Sequence, residues 1–193
     1  MSSSYNLLEE VKEFQDSYYS QNTKKMFLKN SQKIECANKI TEKFDIFDLI
    51  KKTIYIIPNT NKVYIDYLIY KLYANPNVYN DIINYSLNIF SECISKYGDF
   101  ECHINLNTFT ITSAYRYNDI IELFCQKCLM TNPKSSYSML LSKMYIYNSP
   151  SMMDNISKVF THLIHPEVKS KLIIYNKQET IVKMEELFTP LNI

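Results

Sequence analysis

The sequence predicts a single α/β domain built on a mixed, largely parallel sheet with flanking helices. Strand-like runs of β-branched and aromatic residues alternate along the chain with amphipathic segments of helical period. Such alternation is typical of parallel strands joined by right-handed helical crossovers. The chain has 193 residues, of which 46% are hydrophobic and 21% charged, which suits one folded core.

The N-terminal quarter of the chain carries the weakest strand signal. Residues 1–45 are expected to form a short, polar helical segment, and residues 46–193 form the predicted domain. Within the first segment, residues 24–33 are basic and loop-like. Strands are predicted at 53–57 and at 63–72, because both runs are rich in β-branched and aromatic residues.

The elements that follow begin with a well-delimited helix. It starts at Asn75-Pro76, where proline suits the first turn, and ends at Gly98, the one glycine in the chain. After it the pattern gives a strand at 100–107, a helix at 117–130, a strand at 144–147, an amphipathic helix at 152–164, a strand at 171–175 and a final helix carrying Ile181, Met184, Leu187 and Phe188. In the strand at 100–107, Cys102 and Ile104 alternate with His103 and Asn105.

The composition excludes several classes of function. A phosphate-binding loop, a dinucleotide fingerprint and a nucleophile elbow each need several glycines, and this chain has only Gly98. The net charge is +1 and Arg116 is the single arginine. We therefore expect no nucleic-acid partner, because base and phosphate recognition relies on arginine and on a basic field.

The cysteine count indicates the compartment. Five cysteines form an odd set, and no basic and then apolar leader precedes them, so we expect free thiols in a reducing, cytoplasmic environment. No apolar run approaches the roughly 20 residues of a membrane span. The abundance of asparagine, isoleucine, lysine and tyrosine indicates an AT-rich genome, as in a protist or a large DNA virus.

Three candidate chemical sites are weak. Cys125 and Cys128 form a C-x-x-C pair late in a helix, whereas a redox pair belongs at a helix N-terminus, so core thiols are expected. His162 and His165 have no evident third metal ligand, and His103 has no nucleophile in an activating context. We therefore expect no catalytic residue, no metal and no cofactor. The alternative, an unrecognised α/β enzyme, would need a polar cleft with a perturbed acid or histidine.

The stretch KMYIYNSPSMMDNISKVFTHLIHPEVKSKLIIYNK, residues 143–177, has a distinctive order of a strand, an Asn-x-Pro turn, an amphipathic helix and a second strand. The matching positions are Asn148 and Pro150 in the first turn, Phe160 and Leu163 in the helix, Pro166 and Glu167 in the second turn, and Lys171, Leu172 and Ile173 at the start of the strand. This order resembles the signature of the CRAL-TRIO lipid-binding domain, the family of the yeast phosphatidylinositol-transfer protein and of the tocopherol- and retinal-binding proteins. Weaker similarity extends the resemblance to roughly residues 50 to 190.

The resemblance implies a mixed sheet beneath a lipid cavity, with a helix as a movable gate. The gate would be the helix at 152–164, whose apolar face carries Met152, Met153, Ile156, Val159, Phe160 and Leu163. The lipid-binding candidates are Tyr67, Ile69, His103, Asn105, Ile146, Ile156, Phe160, Leu163 and Lys171, the last as the cation for a phosphate. A buried core helix has the same apolar stripe, and that alternative stays open.

The chain departs from the family pattern at two places. Tyr137-Ser138-Met139 stands where the phosphatidylinositol carriers have Tyr-Pro-Glu, so the acid that helps to hold inositol is missing. Asn105-Leu106-Asn107-Thr108 replaces an Asp-x-x-Gly. These departures, together with the short N-terminal segment, indicate a minimal or divergent member.

The functional hypothesis is a non-enzymatic protein that binds a phospholipid or other small hydrophobic ligand and transfers it between membranes. Its expected partners are that bound lipid, in place of any cofactor, and transiently a membrane surface. The alternative is a lipid-free module that binds a protein partner, a role that the 17 tyrosines would suit. An open apolar pocket favours the first hypothesis, and a filled core favours the second.

Overall fold

The computed structural model describes residues 3–22, 29–129, 136–151 and 163–189. Its helices are α1 (Ser3–Gln21), α2 (Lys29–Lys43), α3 (Ile46–Thr53), α4 (Tyr67–Tyr73), α5 (Tyr79–Tyr97), α6 (Ile111–Arg116), α7 (Asn118–Leu129), α8 (Tyr137–Leu140), α9 (Pro166–Ser170) and α10 (Lys177–Phe188), with a 3₁₀ turn at Pro76–Val78. Its strands are β1 (Ile54–Ile56), β2 (Lys62–Asp66), β3 (Phe100–Asn105), β4 (Leu141–Tyr147) and β5 (Leu172–Ile174).

The described strands form one five-stranded sheet in the order β1-β2-β3-β4-β5. β1 and β2 pair antiparallel, and the remaining three pairings are parallel. The predicted mixed, largely parallel sheet is therefore confirmed. Helical segments join the parallel strands, as such connections require.

The register fixes which side chains share a face of the sheet. Val63 on β2 pairs with Cys102 on β3, which pairs with Met144 on β4, which pairs with Leu172 on β5. Side chains alternate between the two faces of a sheet, so these positions form one apolar row across four strands. We call the face that carries this row the inner face.

The predicted strand at 63–72 is wrong in its second half. β2 ends at Asp66, and α4 begins at Tyr67, although the sequence there is still rich in β-branched and aromatic residues. The reason is local, because the Asp66 carboxylate accepts a hydrogen bond of 2.7 Å from the Leu68 N–H and so caps the new helix. Tyr67 and Ile69 therefore lie on a helix and not on a strand.

The boundaries of α5 follow the sequence signals. Asn75 accepts a hydrogen bond from the Asn77 N–H at the head of the 3₁₀ turn, and Pro76 occupies its first position. The helix ends at Gly98, which has a φ of +89° and donates its N–H to the carbonyl of Ile94. This left-handed cap is the conformation that glycine adopts at least cost.

The N-terminal helices share the main hydrophobic core. Val11 on α1 and Cys36 and Ile40 on α2 are fully buried and belong to the same cluster as Tyr73 on α4. The Tyr73 hydroxyl donates a buried hydrogen bond of 3.0 Å to Thr53 at the end of α3. α1 and α2 are helical, as predicted for residues 1–45, but residues 29–33, which were predicted to be loop-like, belong to α2. The division of the chain at residue 45 stays a prediction.

Most of the predicted gate lies outside the described residues. Of the helix expected at 152–164, the structure describes Leu163 and Ile164, which precede α9. The positions outside the described residues include Met152, Met153, Ile156, Val159, Phe160 and His162. None of the described helices is long and apolar enough to cross a membrane.

Candidate functional site

An apolar pocket of about 360 Å³ lies against the inner face of the sheet, and we call it the apolar pocket. Among the described residues, the strands contribute Ile54, Ile65, Phe100, Cys102, Ile104, Leu141, Met144, Ile146 and Leu172 to its wall. The helices and connections contribute Tyr67, Tyr70, Ile82, Ile83, Ser86, Phe90, Leu106, Phe109, Tyr117, Ile120, Ile121, Phe124, Cys125, Cys128, Tyr137, Ser138, Leu163, Ile164, His165 and Val168.

The sheet wall follows from strand alternation. Cys102 and Ile104 on β3, with Met144 and Ile146 on β4, all line the apolar pocket at spacings of two. The residues between them point to the opposite face, as the pleat requires. The alternation of β3 was predicted from sequence, and the pocket lies on its apolar side.

The helical wall follows from the period of α5. Ile82, Ile83, Ser86 and Phe90 recur at spacings of one, three and four, and all four line the apolar pocket. Phe90 stacks on Phe100 of β3, with ring centroids 4.4 Å apart. This contact joins the helix to the sheet at one edge of the apolar pocket.

The described wall offers little polar surface to a ligand. It contains no lysine, arginine, aspartate or glutamate among the described residues. Ser86 is satisfied internally, since its hydroxyl donates to the carbonyl of Ile82 at 2.7 Å. The Tyr137 hydroxyl pairs with the hydroxyl of Ser91 at 2.7 Å. This wall can therefore bury the apolar part of a ligand at little cost.

Three thiols meet at the apolar pocket. Cys102 of β3 and the C-x-x-C pair Cys125 and Cys128 of α7 all line it. Burial raises the pKa of Cys102 and of Cys128 to about 12, and it also raises the pKa of Cys125. These thiols are protonated at neutral pH, so they behave as apolar wall groups and not as nucleophiles. The described residues contain no group of three ligands that could hold a metal ion.

Three of the predicted lipid-binding residues line the apolar pocket. Tyr67 does so from α4, Ile146 from β4 and Leu163 from the segment before α9. Two further candidates, Ile156 and Phe160, lie outside the described residues. The binding roles of all five stay predictions.

His103 and Asn105 lie on the face of β3 opposite to the apolar pocket, and their predicted lipid-binding roles stay predictions. His103 is buried, its ring stacks on Tyr145, and its Nδ1 lies 2.9 Å from the Tyr147 hydroxyl. Its Nε2 lies 3.2 Å from the Glu101 carboxylate, and this hydrogen bond lowers the pKa of Glu101. The alternating pattern separates the two faces of a strand, but it cannot say which face a ligand occupies.

Ile69 and Lys171 are also absent from the described wall of the apolar pocket. Ile69 packs against the main core from α4. The Lys171 ammonium donates to the carbonyls of Ser138 and Met139 at 3.0 and 3.1 Å, and it pairs with Glu167 at 3.6 Å. Lys171 therefore links the end of α9 to α8. Its ammonium hydrogens are directed to these partners and not into the apolar pocket, where a phosphate would need them.

Asn148 of the Asn-x-Pro turn has a structural role that sequence reasoning missed. It adopts a φ of +54°, and its N–H donates to the Thr180 hydroxyl of α10 at 2.7 Å. Its side-chain amide donates to Oδ1 of Asn105 at 2.9 Å, and the same oxygen accepts from the Asn107 N–H. The turn thus fastens the carboxyl ends of β3 and β4 to the last helix.

Sequence reasoning also missed the tyrosines at one end of the apolar pocket. Tyr70 and Tyr117 line the wall beside Tyr67, with the Tyr70 and Tyr117 ring centroids 5.1 Å apart. The signal that could have found Tyr70 is its spacing of three from Tyr67, which places both on one side of α4 once that segment is recognised as a helix.

The fold and the site together define a class of α/β protein in which an apolar pocket lies between a largely parallel sheet and its covering helices. The family model of the CRAL/TRIO domain matches residues 104–193, which includes the whole of the 143–177 segment. Residues 104–193, just under half of the chain, are therefore similar to the CRAL/TRIO domain, and this similarity supports the binding of a lipid or other small hydrophobic molecule in general. A search of curated proteins found no match.

Proposed function

We propose that this protein binds a small hydrophobic ligand in the apolar pocket, without catalysing a reaction, and carries that ligand between membranes. The observation that carries the proposal is the apolar pocket itself, whose described wall is formed almost entirely by apolar side chains. The match of residues 104–193 to the CRAL/TRIO family model gives independent support for the class of ligand. Transfer and gating go beyond both observations and are proposals.

The size of the apolar pocket suits a ligand and not a solvent molecule. Its volume of about 360 Å³ lies within the usual range for small-molecule sites. Each methylene group that leaves water for such a wall contributes about 0.8 kcal/mol. A chain with about ten buried methylenes would thus gain about 8 kcal/mol before its loss of motional freedom is counted.

For release, we propose that the amphipathic sequence at 152–164 acts as the gate. Support comes from the sequence, which places Met152, Met153 and Phe160 on one apolar side. The residues directly after it also support the proposal, because Leu163 and Ile164 line the apolar pocket. A helix that prefers a bilayer interface when open would couple ligand release to arrival at a membrane.

Ligand binding can be tested by filling the apolar pocket. Met144 faces the pocket from β4, and its neighbour Lys143 is exposed on the opposite face, so Met144→Trp and Lys143→Trp form a matched pair. We expect native mass spectrometry to show a bound hydrophobic molecule in the wild type and in Lys143→Trp, but not in Met144→Trp. The neutral dye Nile red should likewise bind to the wild type and to Lys143→Trp, but not to Met144→Trp. Wild-type protein that stays empty after incubation with mixed liposomes would contradict the proposal and favour the lipid-free interaction module.

Transfer can be tested separately from binding. Fluorescent lipid would be loaded in donor vesicles, and its appearance in acceptor vesicles would be followed with and without the protein. Phe160→Glu should slow transfer strongly, because it places a charge on the apolar side of the proposed gate. Ser157→Glu adds the same charge on the polar side of that sequence and should leave the rate nearly unchanged. Equal rates for the two variants would exclude the gate.

A further inference from the structure

One end of the apolar pocket is built from three tyrosines, and we call it the tyrosine end. Tyr67 and Tyr70 reach it from α4, and Tyr117 reaches it from the junction of α6 and α7. The ring centroids of Tyr67 and Tyr70 lie 6.3 Å apart, those of Tyr67 and Tyr117 6.2 Å, and those of Tyr70 and Tyr117 5.1 Å. The other tyrosine of the described wall, Tyr137, makes no ring contact with these three and lies instead against Phe90.

The Tyr70 hydroxyl makes no hydrogen bond among the described residues, and it is not one of their fully enclosed, unpartnered atoms, so its oxygen keeps some access to open space. Burial raises the pKa of Tyr70 well above its usual value, and the neighbouring tyrosines raise it further. At Tyr67 and Tyr117 burial also raises the pKa, but Ser113 and Arg116 oppose the shift at Tyr67, and Arg116 opposes it at Tyr117. All three phenols are therefore neutral donors at neutral pH, and Tyr70 lacks an acceptor.

The single arginine of the chain stands behind this end of the apolar pocket. The guanidinium carbon of Arg116 lies 5.6 Å from the centre of the Tyr117 ring, and one Nη donates to Asn30 of α2 at 2.7 Å. Its Nε is the one buried side-chain nitrogen or oxygen without a partner among the described residues. The Asp119 carboxylate raises the pKa of nearby Tyr79, but it is not among the groups that act on Tyr70 or Tyr117.

The tyrosine end is thus rich in hydrogen-bond donors and short of acceptors. The positive charge of Arg116 draws electron density from the adjacent Tyr117 phenol and strengthens its O–H as a donor. A ligand group that satisfies these donors must supply acceptor oxygens. If those oxygens carry a negative charge, the positive charge of Arg116 stabilises them. A phosphate headgroup fits less well than a carboxylate, because it has more acceptor oxygens than these phenols can satisfy and the described wall supplies no lysine or arginine for the rest.

We propose that the tyrosine end binds the carboxylate of a single-chain lipid, with Tyr70 and Tyr117 as direct donors and Arg116 as a positioning residue. The proposal rests on the proposed function, since the acyl chain would occupy the rest of the apolar pocket. A volume of about 360 Å³ suits one chain better than two. The ligand class is therefore a long-chain fatty acid and not a two-chain phospholipid.

The decisive experiment compares head groups on one constant chain. Hexadecanoic acid, its methyl ester and hexadecanol would each be titrated against protein loaded with Nile red, and displacement would give their relative affinities. We expect the wild type to bind the acid about ten-fold more tightly than the ester, the effect of one hydrogen bond to an ionised group. Dioleoyl phosphatidylcholine vesicles should displace the dye weakly.

Two phenylalanine variants separate the tyrosine end from the rest of the wall. Tyr70→Phe should abolish the preference for the acid while it leaves the fold intact, because the Tyr70 hydroxyl supports no described contact. Tyr137→Phe is the matched control, since Tyr137 lines the same pocket but its hydroxyl is paired with Ser91. The control should keep the full preference for the acid.

Arg116→Gln tests the positioning role by a spectroscopic signal. The carboxyl of bound, ¹³C-labelled hexadecanoic acid should titrate in the wild type at a pH about one unit or more below its value in the Arg116→Gln protein, because a nearby cation favours the ionised form. Equal affinity for acid and ester in the wild type, equal effects of Tyr70→Phe and Tyr137→Phe, or an unshifted carboxyl titration would each overturn the proposal. Failure to take up Nile red at all would instead overturn the proposed function.

Discussion

At Asn148, the contributions of the backbone conformation and of the side chain to the free energy of unfolding can be measured separately. Its φ of +54° lies in the left-handed region, and its side-chain amide donates to Asn105 at 2.9 Å. In Asn148→Ala the lost hydrogen bond should cost about 1 kcal/mol, and alanine in the left-handed region should cost about 1 kcal/mol more. Asn148→Gly also loses the hydrogen bond, but glycine adopts the left-handed conformation without strain. The greater freedom of glycine in the unfolded chain adds a smaller entropic cost.

We therefore expect the alanine variant to lose about 2 kcal/mol of unfolding free energy, and the glycine variant about 1 kcal/mol. Urea unfolding followed by circular dichroism measures both, and the melting temperature of the alanine variant should fall by about 4 to 8 °C. The Asn148 N–H that bonds Thr180 is backbone and is present in both variants, so it cancels from the comparison. If glycine proves as damaging as alanine, the left-handed backbone contributes nothing and the reasoning fails.

Three further predictions concern positions outside the apolar pocket. His103 holds the pKa of Glu101 below its usual value. The stability that Glu101 contributes should therefore be present above about pH 4.3 and lost as the pH falls through the lowered pKa. Urea unfolding of the wild type and of Glu101→Gln across pH 3 to 7 measures this contribution. Lys171→Met should lower the unfolding free energy by about 1 to 2 kcal/mol, because two carbonyls lose a charged donor. Thr108→Gly should raise it by roughly 0.5 kcal/mol, because Thr108 has a φ of +67°.

Each of these three predictions has its own contradicting result. A difference between wild type and Glu101→Gln that does not shrink in acid would show that the carboxylate gains nothing from His103. Lys171→Met should be compared with Lys177→Met at an exposed position of α10, and equal losses would argue against a specific tie between α9 and α8. A less stable Thr108→Gly protein would show that the hydrogen bond from Lys71 to the Thr108 hydroxyl, at 2.8 Å, outweighs the backbone strain.

The order of the main strands and long helices could be predicted, because each has a clear hydrophobic period, but the short helices α3, α6 and α8 were not predicted. The strand at 100–107 and the helix that Gly98 ends were both visible in the sequence and are both present. The start of α4 was not visible in the sequence, because the residues from Tyr67 onward have strand-like composition. The helix begins there because the Asp66 side chain caps it. Propensity describes an average environment, and a single hydrogen bond at a helix end can outweigh it.

The face of the sheet that holds the apolar pocket could not be predicted from strand pattern. β3 presents Cys102 and Ile104 on one side and His103 on the other, and all three are buried or partly buried. Helices cover both faces, so burial does not distinguish them, and a polar side chain such as His103 can be satisfied inside a second, smaller cluster. The partners of Lys171 could not be predicted either, since they are backbone carbonyls, which the sequence does not reveal.

The wall of the apolar pocket is also the main core of the protein, since Phe90, Phe100 and Ile83 belong to both. A molecule that binds only the folded state raises the free energy of unfolding in proportion to the logarithm of its concentration. In a cell, proteases and chaperones act on the unfolded fraction, so a difference of 1 to 2 kcal/mol changes abundance several-fold. On the proposed function, the amount of this protein would follow the supply of its ligand, because the empty form unfolds more often and is degraded faster.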